Sequence, residues 1–171
     1  MITGDGKGKS TSGFGTVCRA VGHGLKAAVV QFIKGNWACG ERNLLSSAGV
    51  EFHVMATGFT WETQDRQADT LAAQAVWQEA KRLLADPDIQ LVLLDELTYM
   101  VAYDYLDLDE VLEALVHRPA MQHVVITGRG CHRGCGGGRR VGRERAGHRA
   151  VSLKSCAVQQ AGDAWDDEAI S

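Results

Sequence analysis

A chain of 171 residues, 45% of them hydrophobic, is long enough for one domain with a sizeable core. Its net charge of −3 and pI near 6.0 argue against a general nucleic-acid binder, which needs a dominant basic face. No apolar run reaches the roughly 18 residues of a membrane span, and the N-terminus has no signal-peptide pattern, so a cytoplasmic chain with no membrane partner is expected. Five cysteines without regular spacing form no disulfide framework and are expected to be thiols.

In chain order, Met1-Ile2-Thr3 comes first, shorter than the strand of about five residues that normally leads into a phosphate loop. Most of a first strand is therefore expected to be missing, with Met1 an internal methionine of a longer natural chain. Gly4-Asp5-Gly6-Lys7-Gly8-Lys9-Ser10-Thr11 follows. Closely spaced glycines let backbone N–H groups surround phosphate oxygens, and the next helix adds its positive end. Lys9 would contact phosphate, and Ser10 would offer a hydroxyl to Mg²⁺. Against G-x-x-x-x-G-K-[ST] the loop is one residue short, because Thr3 stands five positions before Gly8. A standard NTPase grip on the β and γ phosphates is not assumed. The plain alternative is a Gly/Lys-rich solvent loop.

Apolar strand-like runs at 27–33, 50–55, 89–95 and 123–127 are separated by helical stretches. The clearest helix is 65–84, with Leu71, Ala75, Trp77, Ala80, Leu83 and Leu84 at helical spacing and Asp86-Pro87-Asp88 as its stop. A second, 108–117, ends before Arg118-Pro119. The alternation predicts an α/β fold, an open and mostly parallel sheet with helices on both faces. Asp95-Glu96 closes the run Leu91 to Leu94, the place of an acidic partner for the loop's metal, and one of the two should reach Mg²⁺ directly or through water. Tyr99, Met100, Tyr103 and Tyr105 are expected at the rim of that site. Arg129, just past the last strand, suits phosphate contact or a surface ion pair equally well. His23 and His53 read as packed or surface residues.

From 134 onward seven glycines and five arginines fall among 38 residues, with no helical or strand period. Two segments are thus expected, a folded domain over 1–133 and an atypical Gly/Arg-rich tail over 134–171, disordered or read in a shifted frame. Cys131, His132, Cys135, His148 and Cys156 follow no structural zinc spacing.

Seven stretches in order resemble the ATP:corrinoid adenosyltransferases of cobalamin biosynthesis and salvage. They are the glycine loop, Arg19-Ala20-Val21-Gly22-His23-Gly24, Val30-Gln31-Phe32-Ile33-Lys34-Gly35, Gly40-Glu41-Arg42-Asn43, Gly58-Phe59-Thr60-Trp61, Leu94-Asp95-Glu96-Leu97-Thr98-Tyr99 and Thr127-Gly128-Arg129-Gly130. The resemblance runs from Met1 to Arg133 and then stops. It implies a homodimer that binds ATP and a reduced corrinoid, with an electron-donating flavoprotein reductase as a further partner. Cobalt(I) would attack the ribose 5′ carbon, and inorganic triphosphate would leave. The resemblance implies a P-loop NTPase-like fold, Mg²⁺ held by Ser10 and Glu96, nucleotide-binding roles for Gly4, Asp5, Gly6, Lys7, Gly8, Lys9, Ser10, Thr11, Arg19 and Arg129, and catalytic roles for Glu96, Phe59 and Trp61. The two aromatics would pack on the lower face of the corrin and exclude an axial ligand. Their i, i+2 spacing fits one face of an extended segment, which core packing would also explain. Glu41 and Asn43 would lie on the corrinoid side. The competing readings are another P-loop ATPase or kinase, and a fragment that binds nucleotide or corrinoid without turnover.

Overall fold

The computed structural model describes residues 1–4, 6–33, 39–55 and 65–129. Ten elements follow in order: β1 (Ile2–Thr3), α1 (Lys9–Gly22), β2 (Ala27–Gln31), α2 (Gly40–Ser47), β3 (Glu51–Val54), α3 (Arg66–Ala85), β4 (Leu91–Asp95), α4 (Leu97–Ala102), α5 (Leu108–His117) and β5 (His123–Gly128). One five-stranded sheet results, ordered β1-β5-β4-β2-β3, and every pairing in it is parallel. The expected α/β architecture is what the chain adopts. The two-residue β1 still pairs, with Ile2 opposite Thr127 and Thr3 opposite Gly128.

The apolar runs are continuous because both faces of the sheet are covered, and strand alternation deals their residues to two cores. On one side Val29, Leu91 and Leu93 meet Phe14, Val17 and Ala20 of α1 and Leu45 of α2. On the other, Ala28, Val30, Val92 and Leu94 meet Ala73, Trp77, Ala80 and Leu84 of α3 and Val111 and Leu115 of α5. Helix α1 comes unusually close to the sheet at Gly13, where a Cβ would stand 2.9 Å from Leu93 Cδ1 and 3.1 Å from Thr127 Cγ2. One placement needs correcting. Met100 is fully buried in the second core beneath α4, because the turn after Glu96 winds into a helix that points it inward. Tyr99 and Tyr103 stack at 6.0 Å, and Tyr105 lies under the Arg66 guanidinium.

The helix ends follow from local chemistry. Asp65 caps α3 by accepting from the N–H groups of Gln67 and Ala68, and Asp107 caps α5 by accepting from Glu110 N–H. Asp86 and Arg118 each precede a proline and are extended (ψ 114° and 157°), which stops α3 and α5. Lys81 Nζ and Glu110 Oε1, 2.6 Å apart, join these two helices.

Buried Gln122 ties the α3–β4 turn to the start of β5. Its Nε2 donates to the carbonyl oxygens of Leu83 (3.0 Å), Asp86 (3.1 Å) and Ile89 (3.1 Å). Gln122→Leu strands these acceptors, and a loss of about 1–3 kcal/mol in urea unfolding is expected. At the sheet's β3 edge, a hydrogen bond from His53, assisted by Arg82, holds the Glu51 carboxyl below the usual glutamate range against the opposing effect of burial. Since the folded value is depressed, this contribution is present above the unfolded value and vanishes as pH falls through the folded one. Glu51 is half exposed, so Glu51→Gln should cost under about 1 kcal/mol at pH 7. The difference from wild type should disappear in acid, as read by denaturation at a series of pH values.

Candidate active site

All five strands are parallel, so their carboxyl ends open on the same edge, the usual ligand crevice of such sheets. Three features meet there. The glycine loop follows β1, Asp95-Glu96 ends β4, and Gly128-Arg129 ends β5. Strand β5 lies between the loop's strand and the acidic strand.

The loop enters α1 through Gly8, whose φ of 97° is left-handed and favours glycine. Helix α1 has no side-chain cap and no acidic residue in its first turn. Its leading N–H groups and dipole thus suit an anionic ligand. Lys9 opens the helix and is buried, with Nζ donating to the Gly6 carbonyl oxygen. Lys7 and Thr11 are exposed, and Ser10 is half-buried in the first turn. Backbone N–H groups, ammonium and hydroxyl are thereby concentrated on a single turn of chain.

Across β5 the acidic pair divides its labour. Asp95 lies on the α1 side of the sheet and is 1% exposed. Its Oδ1 accepts from Thr127 Oγ1 (2.7 Å) and its Oδ2 from Gln31 Nε2 (3.2 Å). Glu96 is half-buried and left-handed (φ 65°), an unusual backbone for a residue with a side chain, and it begins α4. Its N–H donates to Thr127 Oγ1 at 2.9 Å. Non-glycine strain of this kind gathers at functional positions. Ser10 and Glu96 are both half-buried and belong to segments at this edge, and their oxygens are of the hard donor type that Mg²⁺ takes.

Gly128 is the pivot of the third feature. At φ 149°, a Cβ there would overlap Thr98 Oγ1 at 1.9 Å, so α4 can seat against β5 only over a glycine. Thr98 Oγ1 in turn donates to the Arg129 carbonyl oxygen (2.9 Å), and the Arg129 side chain is exposed at the edge.

Sequence expectation and structure can be matched residue by residue. Gly4, Gly6, Lys7, Gly8, Lys9, Ser10 and Thr11 form the loop and first turn, and Glu96 and Arg129 lie on the same edge. Arg19 stands in the last turn of α1, roughly 15 Å along the axis from Lys9 at 1.5 Å per residue, so the structure does not bring it to the loop. Asp5, Phe59 and Trp61 lie outside the described residues, as do 130–171. His23 is exposed at the end of α1, and His53 belongs to the surface cluster with Glu51. Sequence reasoning missed Gln31, Thr98 and Thr127. Gln31 had a signal, an amide inside a strand otherwise apolar and buried, where a partner is obligatory.

A family model described as ATP:corrinoid adenosyltransferase BtuR/CobO/CobP matches residues 1–135. The chain belongs to this family. It is 68% identical over 133 residues to a corrinoid adenosyltransferase of Escherichia coli K12, a match spanning 78% of the chain and 68% of that relative. The same figures hold for the corrinoid adenosyltransferase CobA of Salmonella typhimurium. A corrinoid adenosyltransferase of Pseudomonas aeruginosa is 56% identical over 134 residues, spanning 77% of the chain and 66% of the relative. The family's reaction is transfer of adenosyl from ATP to a corrinoid, and all the elements of the carboxyl edge lie inside the matched region.

The Gly128–Thr98 contact gives a direct check on the edge. Gly128→Ala must push α4 off β5 and also bear a strained φ, so a loss of about 1–3 kcal/mol is expected in thermal or urea unfolding. Gly128→Ala combined with Thr98→Gly should recover part of that loss. Full stability in the single variant would contradict the contact.

Proposed function

We propose that residues 1–133 transfer the 5′-deoxyadenosyl group of ATP to the cobalt(I) of a reduced corrinoid, releasing inorganic triphosphate. The observation that carries this reading is the meeting, at one sheet edge, of a shortened phosphate loop on an uncapped helix and the strained Glu96. In the reaction a cobalt–carbon bond forms at C5′ and the C5′–oxygen bond to triphosphate breaks. The electron pair of that bond leaves with triphosphate, and cobalt supplies the pair for the new one.

The protein's task on the nucleotide side is to neutralise a leaving group of growing negative charge. Lys9, the N–H groups of the first turn of α1 and exposed Lys7 suit that task, and Arg129 adds a guanidinium at the edge. Gly4, Gly6, Gly8 and Thr11 would complete the cradle, with Asp5 between them in sequence. Ser10 and Glu96 would hold Mg²⁺, which supplies further charge neutralisation on the phosphates when bound. On the corrinoid side, Phe59 and Trp61 would form dry walls that offer cobalt no replacement ligand, making its reduction easier. A homodimer, a flavoprotein reductase as electron source and a cytoplasmic setting complete the proposal.

The test is an anaerobic assay with Mg²⁺-ATP and chemically reduced cob(I)alamin. The light-sensitive spectrum of adenosylcobalamin, with one triphosphate per cobalt–carbon bond, is expected. Lys9→Ala should lower kcat by about 10²–10³-fold, as loss of one charge-stabilising donor does elsewhere. Release of ADP or phosphate without a cobalt–carbon bond would instead establish a phosphoryl-transfer enzyme, and tight ligand binding without product would establish a binding fragment.

A further inference from the structure

We infer that Thr127 is a positioning residue for Glu96, and that Asp95 acts through Thr127 rather than as a metal ligand of its own; this rests on the metal reading of Glu96 given above. A threonine hydroxyl has one proton and two lone pairs. Here the proton goes to Asp95 Oδ1 at 2.7 Å and a lone pair receives Glu96 N–H at 2.9 Å. The direction of the hydroxyl is therefore dictated by a carboxylate that can only accept. That carboxylate is itself held from the other side, where Gln31 Nε2 donates to Oδ2 at 3.2 Å. Gln31, Asp95 and Thr127 come from three neighbouring strands, β2, β4 and β5, and all three are buried on the α1 side. They form a row across the sheet that ends on the backbone of Glu96.

Packing fixes the same threonine a second time. Its Cγ2 lies beside Gly13 of α1, only 3.1 Å from where a Cβ would be, so the helix carrying the phosphate loop bounds the Thr127 rotamer. One side chain thus registers α1 against the start of α4. Glu96 needs such a brace because its left-handed φ of 65° is unfavourable without an external partner for its N–H. The two oxygens of Asp95 already serve neighbours, whereas Glu96 is half-buried at the open edge. Groups that orient a metal-binding residue in this way are expected to matter nearly as much as the ligand itself.

Isosteric replacements separate a brace from a ligand. Thr127→Val keeps the shape beside Gly13 and deletes both hydrogen bonds, and Thr127→Ser keeps the hydroxyl. Asp95→Asn preserves the row if the Gln31 amide turns over. The introduced carboxamide oxygen then accepts from Thr127, and the introduced amide N–H donates to Gln31 Oε1, a buried atom without a partner among the described residues. The measurement is Mn²⁺ binding to the full chain in the presence of ATP, followed by the electron paramagnetic resonance signal of free Mn²⁺. Thermal unfolding of each variant accompanies it. Thr127→Val and Glu96→Gln should each weaken Mn²⁺ binding by about 10–100-fold, while Thr127→Ser and Asp95→Asn stay within about threefold of wild type. Unchanged binding in Thr127→Val overturns the inference. So does a loss in Asp95→Asn equal to that in Glu96→Gln, which would make Asp95 a ligand; this comparison decides the matter even if Thr127→Val does not fold. A wild-type chain that binds no Mn²⁺ with ATP overturns the inference and the metal reading together. Mn²⁺ binding that follows the expected order without any adenosyl transfer overturns only the proposed reaction.

Discussion

The Asp95 carboxylate, almost wholly withdrawn from water, constrains the edge of the sheet more than any other group. Burying such a group costs several kcal/mol unless donors replace its hydration. Both donors come from flanking strands, Gln31 on β2 and Thr127 on β5. This arrangement holds in only one register. Gln31 pairs with Asp95, and Thr127 is the next residue after Ile126, which pairs with Leu94. A one-residue slip of either flanking strand would turn its polar side chain to the α3 face and leave Asp95 short of a donor. The apolar alternation of β2, β4 and β5 favours the same register, so core packing and the polar row agree.

That agreement carries the phosphate loop with it. Helix α1 is seated by Phe14 and Val17, with Phe14 stacked on Phe52 of β3 at a centroid distance of 6.4 Å. The absent side chain at Gly13 lets the helix settle onto Leu93 and Thr127. The loop is anchored at its far end by the first turn of this helix, so the depth of α1 on the sheet sets how far Lys9 stands from Glu96. A methyl group at position 13 would therefore act on the site through the helix, without touching a ligand.

The architecture was legible because its signals are long and physical. Runs such as Leu91 to Leu94 have no polar alternation, and only a strand covered on both faces tolerates that. Asp65 and the Asp86-Pro87 pair bracketed α3 to within a residue, since a cap and a proline act locally. The glycine loop and the acidic pair stood out as composition at fixed spacing, and the parallel sheet sets both at its carboxyl edge. Helices α2 and α4 were not. At eight and six residues they are held by a few buried side chains, Leu45 in one and Leu97 and Met100 in the other, and periodicity has too little length to show them. Thr127 was invisible for another reason. A threonine closing a strand is ordinary in sequence, and its role arises from a neighbour in space 32 positions away. At Arg19, nearness to the loop in sequence became distance along a rigid helix.

A loop built for phosphate can serve a reaction at carbon because the protein responds to where charge accumulates. In phosphoryl transfer the charge to be stabilised lies on the transferring γ-phosphoryl, and the grip must be tightest there. In displacement at C5′ the whole triphosphate departs, and the developing charge begins at the oxygen that was bonded to carbon. A cradle one residue shorter than the common pattern is compatible with that demand, since it need not envelop a terminal phosphoryl group in flight. What it must do is hold a polyanion still while a bulky nucleophile approaches from outside the sheet. Under the proposed function, an edge with Lys9 on a rigid helix turn and the Glu96 backbone held by Thr127 suits that requirement.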